Sequence, residues 1–313
     1  MATNYSTYDA KGNREDLTND IHNVDPSDTP FMSTIDHVTA TNTAHDWQTD
    51  TLSAASNNAR VEGFDATSFS ADPTVRLSNY TQISSKEVKV TGSQGKADIA
   101  GKADEMDYQM LKKGKELKTD MELALLSNKP KVAGDSSSVA RELAGIESWI
   151  HTNVNSGAGA VEATGDGTDA RTGGTPRSAA ESQFKDVIKK AWDNGGKPDL
   201  IMCGSFNKQA ISGFTGNASL VRNTDASAEK LDTAINVYGS DFGDFAVIPS
   251  RLMNQSSSLI LDTDLFALGS YRDFMEEELA NTGDNEKKML VVEYTLESRN
   301  EKGSGAVYDL TVA

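Results

Sequence analysis

The residues of this chain best able to do chemistry are four histidines, one cysteine and two short glycine-rich stretches. His22, His37, His45 and His151 could ligate a metal or move a proton, but none stands at a metal-ligand spacing. Asp36 precedes His37 and Asp46 follows His45. Side chains adjacent in sequence point apart, so neither pair reads as an acid–base dyad. GDGTDA at 165–170 resembles a nucleotide-binding glycine pattern, yet it follows a loop rather than a buried strand. GSQGKA at 92–97 is too short for a phosphate loop and lacks a Ser or Thr after its lysine. Asp166 and Asp169 miss the calcium-loop spacing. Cys203, inside the apolar run LIMC, reads as a buried thiol, and a lone cysteine excludes an intrachain disulfide framework. The residues therefore assign no catalytic, cofactor-binding or metal-ligating group, and no enzyme activity.

Composition narrows the class further. With 47 acidic against 30 basic residues the net charge is −17, where a free-standing nucleic-acid binder carries a basic excess. Hydrophobic residues are 37% and aromatics 7%, low for 313 residues, which implies thin or extended parts or contacts completed by other chains. The N-terminus lacks the charged-then-apolar pattern of a signal peptide, and no run of 18 apolar residues exists. The expectation is a soluble product of a reducing, cytosolic compartment.

The elements that position these residues are organised around 96–129. There Ile99, Ala103, Met106, Met110, Leu117, Met121, Ala124 and Leu125 form a helical stripe. About 30 residues make a rod of roughly 45 Å. Asp98 with Lys102, Lys112 with Glu116 and Lys118 with Glu122 are placed to pair one turn apart. Gly114, where the stripe thins, predicts a bend or a close backbone contact.

Before this spine, residues 1–20 read as a polar arm with a short helical piece around Glu15–His22. Thr29 and Pro30 then open a helical turn bearing Phe31, Met32 and Ile35, as anchors for docking the arm. Ala44–Leu52 and Thr74–Ile83 read as two strands joined by a very polar stretch of about 20 residues, a projecting loop. Lys86–Thr91 continues as a strand.

After the spine, 153–177 is rich in Gly, Thr and Ala and reads as a long surface loop. Ser178 and Glu181 form a capping box for a helix with Phe184, Val187, Ile188, Ala191 and Trp192 on one face. Asp199–Cys203 is a buried strand, Ser205 caps a helix ending near Gly213, Thr224 or Asp225 starts another, and Phe245–Ile248 is a strand. Alternating elements make 178–250 a small mixed α/β unit. Leu259–Leu261 reads as a strand and Tyr271–Leu279 as a helix. Lys288–Ser298 and Ala306–Val312 read as a closing hairpin around a turn at Asn300–Gly305.

This order of arm, two-stranded loop, spine helix, α/β unit and closing β element resembles the Johnson (Hong Kong ninety-seven type) α+β fold of tailed-phage major capsid proteins. DPSDTPFMSTI at 25–35, GIESWI at 145–150, FGDFAVIPSRLM at 242–253 and LANTGDNEKKMLVVEYTLESRNEKGSG at 279–305 resemble one branch of that family. The resemblance covers most of the chain and is weakest at 153–177. It implies an N-terminal arm at 1–43 and an extended β-hairpin loop at 44–85. A peripheral domain would comprise 86–134 and 262–313, and an axial domain 135–261.

The implied function is a self-assembling shell of pentamers and hexamers around a double-stranded DNA genome. Such a shell forms in the host cytoplasm and persists in the virion, with portal and scaffolding proteins as partners and a decoration protein as a further one. Phe31, Trp47, Arg60, Phe64, Phe69 and Arg76 are the candidate inter-subunit contacts. Some members cross-link a loop lysine to a neighbour, but no lysine lies between Lys11 and Lys86, so a non-covalent shell is expected. With about 43 residues ahead of the loop, no N-terminal maturation cleavage and a separate scaffolding protein are expected. Competing readings are an encapsulin-like nanocompartment shell and a soluble enzyme with an unrecognised site. Particle contents or gel filtration would discriminate them.

Overall fold

A computed structural model describes residues 28–65, 71, 73–97, 104–214 and 236–312. In chain order its first helix and strands are α1 (Pro30–Thr34), β1 (Asp36–Thr39), β2 (Ala44–Thr49), β3 (Val75–Tyr80) and β4 (Gln82–Thr91). The middle of the chain gives α2 (Glu105–Leu125), β5 (Val154–Asn155), α3 (Glu181–Asp193), β6 (Leu200–Cys203) and α4 (Ser205–Ser212). The remainder gives β7 (Val237–Ser240), β8 (Gly243–Pro249), β9 (Ser258–Leu261), β10 (Phe266–Glu278), β11 (Asn285–Ser298) and β12 (Gly305–Val307). These build a four-stranded sheet ordered β1-β10-β11-β4, a six-stranded sheet ordered β5-β12-β9-β6-β8-β7, and the separate β2–β3 ribbon.

The spine helix is shorter than its apolar stripe predicts. It begins after Asp104, whose extended backbone and side chain accept the Met106 and Asp107 N–H groups at 2.7 and 3.1 Å, an N-cap that sets the start. Its 21 residues span about 31 Å. Ile99 and Ala103 lie outside the described residues. Met106 and Met110 pack on Val88 and Val90 of β4 with Leu290 of β11, while Leu117, Met121 and Leu125 enter the main core. Of the wet-face pairs, Asp98 with Lys102 lies outside the described residues, and the other two differ from expectation. Glu116 takes Lys113 at 2.6 Å rather than Lys112, and Lys118 lies 5.8 Å from the Phe274 ring instead of pairing with Glu122. Helix α2 runs unbroken through Gly114, where an added Cβ would meet Leu290 Cδ1 at an ordinary 3.8 Å.

Two C-terminal expectations are overturned. Tyr271–Leu279 is not helical, because its residues through Glu278 belong to β10, a 13-residue strand paired antiparallel with the 14 residues of β11. Long-range pairing here outweighs the helix preference of a Glu-rich stretch. Nor does Ala306–Val312 form a hairpin with β11. Strand β12 crosses instead to the six-stranded sheet, between β5 and β9.

That sheet carries α3 and α4. Helix α3 starts at Glu181 after Ala180, not at Ser178, and Gln183 Oε1 accepts the Ala180 N–H at 3.2 Å. Phe184, Val187, Ile188 and Ala191 are buried as expected, but Trp192 is exposed and stacks on Phe242, ring centroids 5.3 Å apart. The helix expected from Thr224 or Asp225 falls outside the described residues.

The Gly-rich stretch 153–177 is pinned rather than loose. Buried Arg171 donates to Asp309 at 2.9 Å, lies 4.0 Å over the Tyr308 ring and approaches Glu162 at 3.4 Å. Asp309 also accepts the Gly157 N–H at 3.0 Å, where a Cβ would sit 2.2 Å from the Thr175 carbonyl oxygen. Composition predicted a surface loop, and most of its residues are exposed or half-buried, but the buried Arg171 guanidinium and close backbone approaches fix its course.

Candidate functional site

The β2–β3 ribbon is a regular antiparallel pair, from Ala44 opposite Tyr80 to Thr49 opposite Val75. Trp47 faces inward and is buried against Trp149 with ring centroids 5.3 Å apart. Asn79 is fully buried and fully satisfied. Its amide donates to Leu296 O at 2.8 Å and Ala144 O at 3.3 Å, and its Oδ1 accepts the Ala144 N–H at 2.8 Å. Lys131 Nζ donates to Ser78 O at 2.7 Å and Asp166 O at 3.0 Å, tying ribbon to glycine-rich stretch, and burial holds its pKa below the usual lysine value.

Two carboxylates of β11, buried Glu293 and half-buried Glu297, complete the anchorage. Glu293 accepts from Arg141, from Thr81 Oγ1 at 2.6 Å and from Arg272 at 2.9 Å. Glu297 lies 2.8 Å from His45 Nε2 and 3.2 Å from Arg299 Nε, and Arg299 reaches Asp36 at 2.9 Å. The His45 hydrogen bond, then the Arg299 contact, holds the Glu297 carboxyl below its ordinary pKa despite burial. His45 thus engages Glu297, not its sequence neighbour Asp46.

Beyond β2 the ribbon changes character. Residues 50–65 have no regular strand or helix and stand in solvent. Leu52 is 99% exposed, Val61 79% and Phe64 48%. The Arg60 guanidinium lies 5.0 Å over the Phe64 ring.

The arm docks on its own chain. Backbone N–H groups of Phe31 and Met32 donate to Glu122 Oε1 and Oε2 at 2.7 and 2.9 Å, and Phe31 meets Phe266 edge-on at 6.3 Å. Burial pushes the Glu122 carboxyl above its ordinary pKa, opposed by those two N–H bonds.

The six candidate contacts therefore separate. Phe31 and Trp47 are buried core residues of this chain, because large apolar groups on the inner face of the arm and ribbon pack first on the nearest core. Arg60 and Phe64 stand on the projecting loop, and Arg76 is exposed on β3 with an ion pair to Asp46. Phe69 lies outside the described residues. Sequence reading missed Glu122, Glu293 and Asn79 as organising groups, since nothing local marks a polar residue whose organising partners lie 21 to 217 positions away.

Among the described residues, no three His, Cys, Asp or Glu side chains are placed to hold a metal ion, and no helix is long and apolar enough to cross a membrane. Cys203 is buried, its thiol pushed up to about 11 by desolvation.

The arm, projecting ribbon, spine helix and two sheets make this a phage-capsid shell fold of the Johnson type. Solved structures with the same architecture include the Cyanophage A-1(L) capsid asymmetric unit (TM-score 0.68, 11% identity, 98% of each chain). Others are the capsid of a native GTA particle (0.66, 11%, 99% of this chain and 100% of that) and a chain of Mycobacterium phage Bobi (0.64, 13%, 99% and 100%). The SU10 major capsid protein family model matches residues 2–311, and the chain belongs to that family. The major capsid protein of Escherichia phage Phieco32 is 27% identical over 343 residues, 98% of this chain and 97% of that protein. The chain is thus a major capsid protein of a tailed phage, a structural component of the virion, and the nanocompartment reading is not favoured.

Proposed function

We propose that each subunit is a tile of a non-covalent head enclosing double-stranded DNA, joined to its neighbours chiefly through the extended loop, whose described part 50–65 stands in solvent. The carrying observation is the contrast along one ribbon, between a root that buries Trp47 and the hydrogen-bonded Asn79 and a tip presenting Leu52, Val61 and Phe64 to solvent. Apolar groups held out on a fixed base lose their solvent exposure on a second copy, and many weak copies of that contact act together. In this reading β4, β10, β11 and α2 form the peripheral domain, with β1 of the arm added to the edge of its sheet. The six-stranded sheet with α3 and α4 forms the axial domain around the fivefold and sixfold centres. Arg60, Phe64, Phe69 and Arg76 are the contact residues.

Portal and scaffolding proteins are the expected assembly partners in the host cytoplasm, with the outer face open to a decoration protein; Phage G capsids carry one. The subunit has no catalytic role in this scheme. Replacing 52–64 by a Gly-Ser linker tests the reading. Folded subunits that no longer close into shells by electron microscopy are expected, and normal heads would refute it. A denaturing gel of intact heads should show a single monomer band, as the loop holds no lysine through residue 85; a ladder would refute the non-covalent assignment.

A further inference from the structure

Trp192, near the end of α3, and Phe242, in the turn between β7 and β8, stack at the rim of the six-stranded sheet, where β7 is the edge strand. They are 55% and 41% exposed. Two rings fixed against each other yet held in solvent suit a contact surface better than a core. The charge around them is acidic once pairs are set aside. Lys185 is paired with Glu181 at 2.8 Å and Lys189 with Asp193 at 3.4 Å, while Asp241 and Asp244 have no ion pair among the described residues. Glu181 first, and Asp241 to a lesser degree, hold the Lys185 pKa above its ordinary value, which places Asp241 beside α3.

The other end of β8 carries the complement. Segments 203–214 and 249–261 meet there through the pairing of Cys203 with Pro249, and they contain Lys208 and Arg251 but no Asp or Glu, in a chain of net charge −17. Arg251 is exposed, and among the described residues it is the one arginine whose guanidinium meets no carboxylate, carbonyl or ring. Its backbone is fixed. Gln255 Nε2 donates to Ser250 O at 3.2 Å and to Met253 O at 3.0 Å, closing the turn that displays it. The seven residues of β8 span about 23 Å, so Arg251 does not reach the aromatic pair of its own chain. A patch and its complement at opposite ends of one subunit make a head-to-tail contact, which closes into a ring when the copies are related by rotation. We propose that Arg251 of one copy stacks on Trp192 and Phe242 of the next copy and pairs with its Asp241. A guanidinium suits this place because it lies flat on a ring while its N–H groups reach a carboxylate. The contact rests on the placement of the six-stranded sheet around the fivefold and sixfold centres proposed above.

The test uses the full-length chain with Asp241→Cys and Arg251→Cys together, assembled into shells, oxidised and run on a denaturing gel without reductant. Cys203 is buried and stays silent. A ladder of covalent species ending at the pentamer and hexamer is expected, with none from either single variant. Shells of the double variant without links would overturn the contact and leave the shell reading standing. A series stopping at the dimer would overturn the head-to-tail ring. A parent chain that forms no shells would instead overturn the shell reading, and this contact with it. Charge reversal covers a double variant that does not assemble. Arg251→Asp should lower the yield of closed shells at least about tenfold, and adding Asp241→Arg should restore most of it. Parental yield from Arg251→Asp, or no recovery on adding Asp241→Arg, would overturn the pairing. Both positions are exposed, so the variants keep the fold.

Discussion

At its root the β2–β3 ribbon buries Trp47 against Trp149 and satisfies Asn79 from three directions, whereas at its tip Leu52, Val61 and Phe64 stand in solvent with only Arg60 over the Phe64 ring. The two ends belong to one continuous piece of chain and contain similar apolar residue types. They differ in what lies within reach. The root passes over β11 and the buried GIESWI segment, whereas every described residue from 50 to 65 is exposed. One end therefore contributes to folding, and the other is the end we propose for contacts with neighbouring subunits.

Substitutions at the two ends should separate those contributions. The largest effect is expected at the root: Trp47→Ala should lower subunit stability by about 3–5 kcal/mol in a denaturant melt. A loss below 1 kcal/mol would mean that the root is not part of the core. Glu122→Ala leaves the Phe31 and Met32 N–H groups without their acceptor and should cost about 1–3 kcal/mol, with faster amide exchange in α1. Unchanged exchange there would show that the arm is held by Phe31 alone.

Acidification should act on the root in the same selective way. The Glu297 pKa is lowered in the folded chain, so its stabilisation is present above the ordinary glutamate value near 4.3 and is lost as pH falls through the lower folded value. Glu297→Gln should flatten the stability profile below about pH 4.3, and an unaltered profile would show that the His45–Glu297–Arg299 tie does not hold the root. Gly114→Ala, in the spine helix, should add about 1 kcal/mol, because the new methyl meets Leu290 at van der Waals distance. A destabilisation would show that the spine needs a glycine after all. The smallest expected change is at the tip. Arg60→Ala with Phe64→Ala should move subunit stability by less than about 0.5 kcal/mol while reducing the yield of closed shells. Instability of the isolated subunit would erase the contrast between the ends.

Much of this division is legible in the chain's own periodicity. The spacing of Met106, Met110, Leu117, Met121 and Leu125 predicts a one-faced helix, and the two strands around a polar stretch predict the ribbon, because both patterns are local and periodic. Legibility fails where the determining partner is distant. Tyr271–Glu278 reads as helix until β11 pairs with it, β12 reads as the mate of β11 until β5 and β9 receive it, and 153–177 reads as loose until Arg171 finds Asp309.

By itself the sequence determined the kind of element almost everywhere that periodicity is strong, the acidic character of the surface, and the family, through motifs falling in order along the chain. Only the tertiary structure decided which apolar residues are used internally. Phe31 and Trp47 look no different from Phe64 as residue types, yet two are core and one is exposed. Burial depends on which surfaces lie within reach after folding, and that is a property of the assembled sheets rather than of any local stretch of chain.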